Sequence, residues 1–260
     1  MRRPGTISIT VFWDTPVGLA EHRLEGKCKP LFPICKNRDV IAALTAALVL
    51  QANNTLTTAE VKAGWRLLFD GKSTKGWHNF KSKTIRPGWQ VKDGTLTVAD
   101  QNNAGDIVTD GKFDWFELTL DFNFEKGQNS GIMFRVADDG EETWHSGPEI
   151  QIYDHPAGPG VQITGYLYEL YSYSGDVSKP AGQWNHFRIV IAPGKCETDL
   201  NGVKLYEYVL NSADFKERVA KSKFAAYPEF ARLAKGSIGI QGDHGLVSFR
   251  NIKIRPIKAK

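Results

Sequence analysis

The stretch "FELTLDFNF", Phe116–Phe124, decides the fold class. Phe116, Leu118, Leu120, Phe122 and Phe124 fall on one side of an extended chain, and Glu117, Thr119, Asp121 and Asn123 on the other. Strand side chains alternate, so a period of two marks one strand with an apolar inner face and a polar outer face. The pattern continues in both directions. "WQVKDGTLTV" and "ETDLNGVKLYEY" each hold two short strands around Asp93-Gly94 and Asn201-Gly202, dipeptides that favour two-residue hairpin turns. "HFRIVIAPG", "GSIGIQ" and "LVSFRNIKIRPI" add strands, and in the last the apolar period slips between Phe249 and Ile252, as a bulge would cause. One segment reads as a helix, Ser212 to about Ala226, with Ser212 or Asp214 to cap it and Pro228 beyond its end. Many short strands and one short helix predict an all-β fold: a two-sheet antiparallel jelly-roll sandwich.

A chain of 260 residues suffices for one large β domain, and 41% apolar with 24% charged residues is the balance of a globular protein. The net charge is +4, but residues 1–39 hold seven Lys/Arg against four acids, so the rest is nearly neutral. A nucleic-acid partner is therefore not expected. Cys28, Cys35 and Cys196 are odd in number and lack CxxC spacing, which indicates neither a zinc cluster nor a disulfide framework. The run "VIAALTAALVL", Val40–Leu50, is too short to span a bilayer. It matches the apolar region of a secretory signal, with Ala52 as the small residue before a cut; a buried helix in an N-terminal appendage is the alternative. The expected plan is an irregular extension over 1–39, whose residues 1 to about 35 are explained by a translation start downstream of Met1, a signal-peptide-like segment over 40–52, a linker over 53–63 and the β domain over 64–258. The location expected from it is secreted or periplasmic, without a membrane span.

Against this scaffold four polar clusters stand out. In "GPEIQIYDH", Glu149, Gln151 and Tyr153 share the face opposite Ile150 and Ile152. In "NSGIMFR", Met133 and Arg135 lie opposite Ile132 and Phe134; "SKPAGQWNHF" carries Lys179, Trp184, Asn185 and His186; "GIQGDHG" carries Gln241, Asp243 and His244. Each has a plainer structural explanation, such as an Arg135–Glu149 cross-strand ion pair or a turn built by Asp243 and its glycines. Taken together they suit a sugar, which needs directional hydrogen bonds to hydroxyls and a flat apolar surface for the ring. Trp77, Trp144, Trp184 and Tyr153 are the candidates for that surface, with Trp89 and Trp115 assigned to the core.

Together "LLFDGKSTKGW", "NSGIMFR", "PEIQIYD", "KPAGQWN", "KSKF" and "GSIGIQGDHGLVSFRNIKIRPI" resemble the 3-keto-disaccharide hydrolase domain family, from about Gly64 to Ile257. The resemblance implies a concanavalin-like jelly roll that breaks 3-keto-glycosides. This chain departs from the family in two places. Gly242 stands before Asp243 where many relatives read "LQDHG", and "TGYLYELYS" replaces a shorter "TGALYG" type, so Tyr166 is expected to reshape one end of the cleft.

An ordinary glycosidase needs two carboxyl groups flanking the bond, whereas Gln151, two residues after Glu149, cannot ionise. A ketone at C3 lowers the demand, because it acidifies the C2 proton and allows the C1 group to leave by β-elimination, after which water adds to the enone. Glu149 is then the expected base and His244, held by Asp243, the expected acid. Arg135 or Lys179 would stabilise the enolate oxygen. Gln151, Asn185 and Gln241 would hold hydroxyls, beside Tyr153 and Trp184. No cofactor is indicated: a divalent ion bridging Glu149, Asp243 and His244 is chemically open, but the spacing is not a metal signature. The expected partner is an oligosaccharide or glycoside. The competing class is a non-catalytic, lectin-like carbohydrate-binding module, and a third is a laminin-G-like interaction domain.

Overall fold

The Phe116–Phe124 strand lies at the centre of the larger of two sheets. The structure is a computed structural model and describes residues 52–154 and 163–258; the extension over 1–39 and nearly all of the signal-like segment lie outside them. In chain order the strands are β1 (Arg66–Leu67), β2 (Trp77–Asn79), β3 (Trp89–Lys92), β4 (Thr95–Val98), β5 (Ile107–Phe113), β6 (Phe116–Phe124), β7 (Asn129–Val136), β8 (Glu149–Tyr153), β9 (Asn185–Ala192), β10 (Lys195–Leu200), β11 (Val203–Tyr208), β12 (Gly236–Ile240) and β13 (Val247–Pro256). The helices are α1 (Thr58–Lys62), α2 (Thr143–Ser146) and α3 (Ala213–Lys221). One sheet runs β11-β10-β9-β6-β13-β4-β3, with β1 also on β13, and the other runs β2-β5-β12-β7-β8. Strand pairings within both are antiparallel, as a sandwich requires.

All five apolar residues of β6 are buried, and they share one core with Ile132, Phe134, Ile150, Ile152, Ile238 and Ile240 of the five-stranded sheet. Phe122 stacks on Phe187 of β9 with centroids 4.7 Å apart. The turns follow from local chemistry. Asp93 and Gly94 have φ of 49° and 74°, and Asn201 and Gly202 have 53° and 83°, left-handed pairs that these residues tolerate best. The period slip in the last strand is a bulge, where the β13–β6 register shifts between Arg250 and Lys253. Its Asn251 exchanges backbone-to-side-chain bonds with Asn54 at 2.6 and 2.8 Å, tying the segment before α1 to the sheet.

The outer face of the larger sheet is ion-paired. Glu117 accepts from Arg188 Nε at 2.6 Å and from Arg255 Nε at 2.7 Å, and Asp121 meets His186 at 2.7 Å. The predicted helix is shorter than its apolar period suggested. Ser212 does cap α3, accepting from Phe215 N at 3.1 Å, but Ser222 is extended (φ −99°, ψ 173°) and ends it. Ser222 Oγ then accepts from Phe224 N, starting a separate 3-10 turn over Lys223–Ala226. Serine favours this because its hydroxyl competes with helical hydrogen bonds.

Because Phe122 is fully buried in the shared core, Phe122→Ala should lower unfolding stability by about 3–5 kcal/mol. Guanidinium unfolding should show this as a lower midpoint at unchanged slope.

Candidate active site

β8 lies at the edge of the five-stranded sheet, with Ile150 and Ile152 in the core. By alternation Glu149 and Gln151 face outward, yet both are largely covered, Glu149 to 8% exposure. Two neighbours cause this. On one side, β7 places Gly131 opposite Gln151 and Met133 opposite Glu149. A Cβ on Gly131 would stand 1.9 Å from Glu149 Oε1, so the carboxyl lies against a bare backbone. On the other side, residues 165–168 run along β8: Gln151 N donates to Tyr166 O and Tyr168 N to Glu149 O, both at 2.9 Å.

In front of Glu149 is a cavity of about 250 Å³. Of the residues expected at the site, Glu149, Gln151, Gln241 and His244 line it, together with Trp144 from α2. Asp243 is hydrogen-bonded to His244 Nδ1. Gln151 Nε2 donates to Asn129 Oδ1 at 3.0 Å, and Gln241 Oε1 is buried without a partner among the described residues. Buried polar oxygens are normally satisfied, so this one suits a hydroxyl of a bound molecule.

Besides Asn129, which also lines the cavity, three further residues complete the site and were not expected from the sequence. Tyr168 lines the cavity in place of Tyr166, whose hydroxyl donates to Tyr173 O at 2.7 Å. Lys223 also lines it, its Nζ 4.7 Å from the Trp144 ring centroid and 4.5 Å from that of Tyr168. Facing rings stabilise the ammonium without neutralising it. The third is Asp106, just before β5, whose carboxyl accepts from Thr143 Oγ1 and, at 3.1 Å, from Gly242 N. The residue before Asp243, Gly242, is held to glycine by sterics. A Cβ there would come within 2.3 Å of Gly105 O and 2.7 Å of the Trp89 ring.

Charge within this cluster is mutually adjusted. Burial, then the neighbouring Asp106 carboxylate, push Glu149 up to about 7 from its ordinary 4.5, against the pull of Lys223 and His244. Burial likewise raises Asp106 to about 6, opposed by its bond from Thr143. The bond to Asp243 raises the His244 imidazole, and the same bond lowers Asp243.

Other expected site residues lie elsewhere. Arg135 has a φ of 57°, which breaks the strand alternation and turns its side chain away from Glu149. Its buried guanidinium donates to Leu233 O at 3.0 Å and stacks over Trp115 at 4.3 Å. Lys179, Trp184 and Asn185 belong to the entry of β9 in the larger sheet. Asn185 Oδ1 accepts from Lys179 N at 2.7 Å and Asn201 Nδ2 at 2.8 Å, Lys179 Nζ donates to Trp184 O, and Arg250 covers the Trp184 ring at 3.9 Å. These groups staple a loop. Tyr153 is at the far end of β8 opposite Asn129 and does not line the cavity. Trp77 is core, donating to Leu68 O. Among the described residues, Glu149, Asp243 and His244 do not form a metal-holding group, and no helix is long and apolar enough to cross a membrane.

Residues 64–255 match the family model described as the 3-keto-alpha-glucoside-1,2-lyase-like domain. A 3-keto-disaccharide hydrolase of Bacteroides thetaiotaomicron is 28% identical over 227 residues, covering 74% of this chain and 78% of that protein. Two solved structures of provisionally named glycosyl hydrolases from Parabacteroides distasonis are each 30% identical. One has a TM-score of 0.72 over 80% of this chain and 100% of its own, the other 0.57 over 74% and 99%.

The raised Glu149 carboxyl carries a stability signature. Since its native pKa of about 7 exceeds the ordinary 4.5, its contribution is fully present below pH 4.5 and is lost as pH rises through 7. Glu149→Gln removes this dependence. Unfolding free energies of variant and wild type should therefore diverge in the variant's favour from pH 5 to pH 8, by up to about 3 kcal/mol, which denaturant titrations across that range would read.

Proposed function

We propose that this chain, which belongs to the 3-keto-alpha-glucoside-1,2-lyase-like family, is a carbohydrate hydrolase that cleaves glycosides bearing a ketone at C3. The observation that carries the reading is Glu149: a carboxyl held near neutrality at the wall of a polar cavity, beside a protonatable imidazole and a cation. A surface that only gripped sugar would have no use for a carboxyl so tuned.

The steps follow from the chemistry of the ketone. Glu149 takes the C2 proton, and the electron pair moves to the C3 oxygen as an enolate. Lys223 is the group for that oxygen, replacing Arg135 and Lys179, which the fold commits elsewhere. The enolate then expels the C1 oxygen, which accepts a proton from His244, whose Nδ1 is oriented by Asp243. Water adds at C1 of the resulting enone and a proton returns to C2, so the net reaction is hydrolysis.

Asp106 is not a second catalytic carboxyl in this scheme. It is bound by Thr143 and Gly242 and acts through Glu149, whose proton affinity it raises. Gln151, Gln241 and Asn129 offer amides for hydroxyls, and Trp144 and Tyr168 provide the flat walls. Export from the cytoplasm belongs to the same proposal and is supported by the apolar run Val40–Leu50 ahead of Ala52.

Purified protein should release the aglycone from a 3-ketoglucoside, exchange its C2 proton in deuterated buffer and leave the unoxidised glucoside intact. Glu149→Gln should reduce turnover by about 10²–10⁴-fold; wild-type rates in that variant would remove Glu149 from the role of base.

Lys223→Met should lower kcat by about 10²–10³-fold with little change in KM, the mark of charge stabilised only in the transition state. The pH profile of kcat/KM should climb near pH 7 as the base loses its proton, then fall above the ordinary histidine range as His244 loses its own. The two limbs belong to the coupled cluster rather than to single residues.

A further inference from the structure

The 3-10 turn Lys223–Ala226 borders two cavities: Lys223 lines the one in front of Glu149, while Phe224 and Ala225 line another, of about 660 Å³. The turn is a shared wall. α3 contributes Phe215, Lys216 and Ala220 to the larger cavity, and Tyr227, Phe230 and Arg232 come from the segment after the turn. Its lining is rich in rings. Phe224 and Phe230 are buried and stacked face to face, with centroids 4.0 Å apart and planes 10° from parallel. The same rings reach the walls of the Glu149 cavity. Trp144 lies 6.4 Å from Phe224 and edge-on to Tyr227 at 4.8 Å, and Tyr168 meets Phe224 at 6.3 Å. Phe224 therefore packs against both rings that hold the Lys223 ammonium.

We propose that this larger cavity is an effector site for an aromatic carboxylate, whose binding holds Lys223 in its working position and raises turnover. The kinetic half rests on the function proposed above; the site itself does not. Size and ring chemistry set the body of the ligand, because flat apolar walls around several hundred Å³ fit a molecule of one or two aromatic rings. Charge sets its head. Lys216 and Arg232 are exposed at the cavity, neither side chain has an ion-pair partner among the described residues, and none of the described residues lining the cavity is a carboxylate. The acids of α3 are engaged on the helix itself, Asp214 with Arg218 at 3.0 Å and Glu217 with Lys221. Two unanswered cations beside apolar rings match an anion with an apolar body and disfavour a cation or a neutral sugar. Coupling to the other cavity follows from the shared wall. An occupant that touches Phe224 and Ala225 binds best with the turn as it stands here, so it stabilises the arrangement that places the ammonium against Trp144 and Tyr168.

Calorimetry and kinetics on the full chain test this, with 2-naphthoate as the probe and 2-naphthamide as its uncharged counterpart. Naphthoate should bind wild type about tenfold more tightly than the amide, and Lys216→Ala combined with Arg232→Ala should erase that preference. Ala220→Trp, which fills the cavity from an exposed helix position, should abolish binding of both. At saturation, naphthoate should raise kcat on a 3-ketoglucoside about fivefold or more in wild type and leave Ala220→Trp unchanged. Trp144 supplies a readout that needs no turnover: its indole N–H resonance, assigned with Trp144→Phe, should shift when naphthoate binds. Equal binding of acid and amide, or binding that survives Ala220→Trp, overturns the site. An unchanged or lowered kcat with naphthoate bound overturns the control of Lys223, while cleavage itself upholds the functional reading. A Trp144 shift that Ala220→Trp abolishes, in a protein inert to every oxidised glycoside, does the reverse: it keeps the site and overturns the reaction. Self-association of wild type that Ala220→Trp removes would assign the cavity to a second copy of the chain and overturn the proposal.

Discussion

The site depends on one packing relation, a carboxyl laid against a glycine on the outward face of a sheet. Glu149 is an outward residue by strand alternation and would ordinarily be solvated. Gly131 across the ladder lets its carboxyl settle against the backbone, and the strand-like run from Gly165 to Tyr168 closes the other flank. Removing a carboxylate from water is costly, so the group holds its proton to a higher pH instead. The surrounding groups make sense only with that carboxyl in place. Asp106 strengthens the tendency to stay protonated, while Lys223 and His244 limit it.

The two sheets take different roles on their outer faces. On the larger sheet, Glu117 of β6 is paired with arginines of β9 and β13 at 2.6–2.7 Å, while Asn123 Oδ1 of β6 and Asp199 Oδ1 of β10 are buried without a hydrogen-bond partner among the described residues. Over the smaller sheet the polar groups surround a cavity: the Gln241 oxygen has no partner among the described residues and Lys223 is held by rings. Satisfied charges build a surface, whereas polar groups arranged around a cavity offer hydrogen bonds to a visitor.

Local pattern in the sequence carried most of the architecture. The β6 alternation, both left-handed hairpin turns and the β13 bulge are properties of adjacent residues and appear where the pattern puts them. The Glu149–Gln151 pair and the Gln241–His244 turn were legible for the same reason. Arg135 was misread because strand alternation assumes regular backbone, and one left-handed residue turned it aside. Lys179, Trp184 and Asn185 carried suitable chemistry, but their position on the other sheet is a matter of topology that no local pattern encodes. Asp106 and Lys223 were missed for complementary reasons. Asp106 precedes β5 after an ordinary turn, and its role comes only from contacts with Thr143 and Gly242, 37 and 136 positions away. Lys223 was hidden inside an apparent helix. The signal that would have exposed it was Ser222, a residue that readily interrupts helical hydrogen bonding.

That interruption makes the cation separately adjustable. A 3-10 turn advances about one third of a revolution per residue, so one amino acid added or lost beside Ser222 would swing the ammonium around its axis while β8 and the Asp243–His244 turn stayed in register. Electrostatic reach toward a substrate oxygen can thus drift among descendants of this chain by small length changes at a single joint, leaving the proton-handling groups and the sandwich beneath them as inherited.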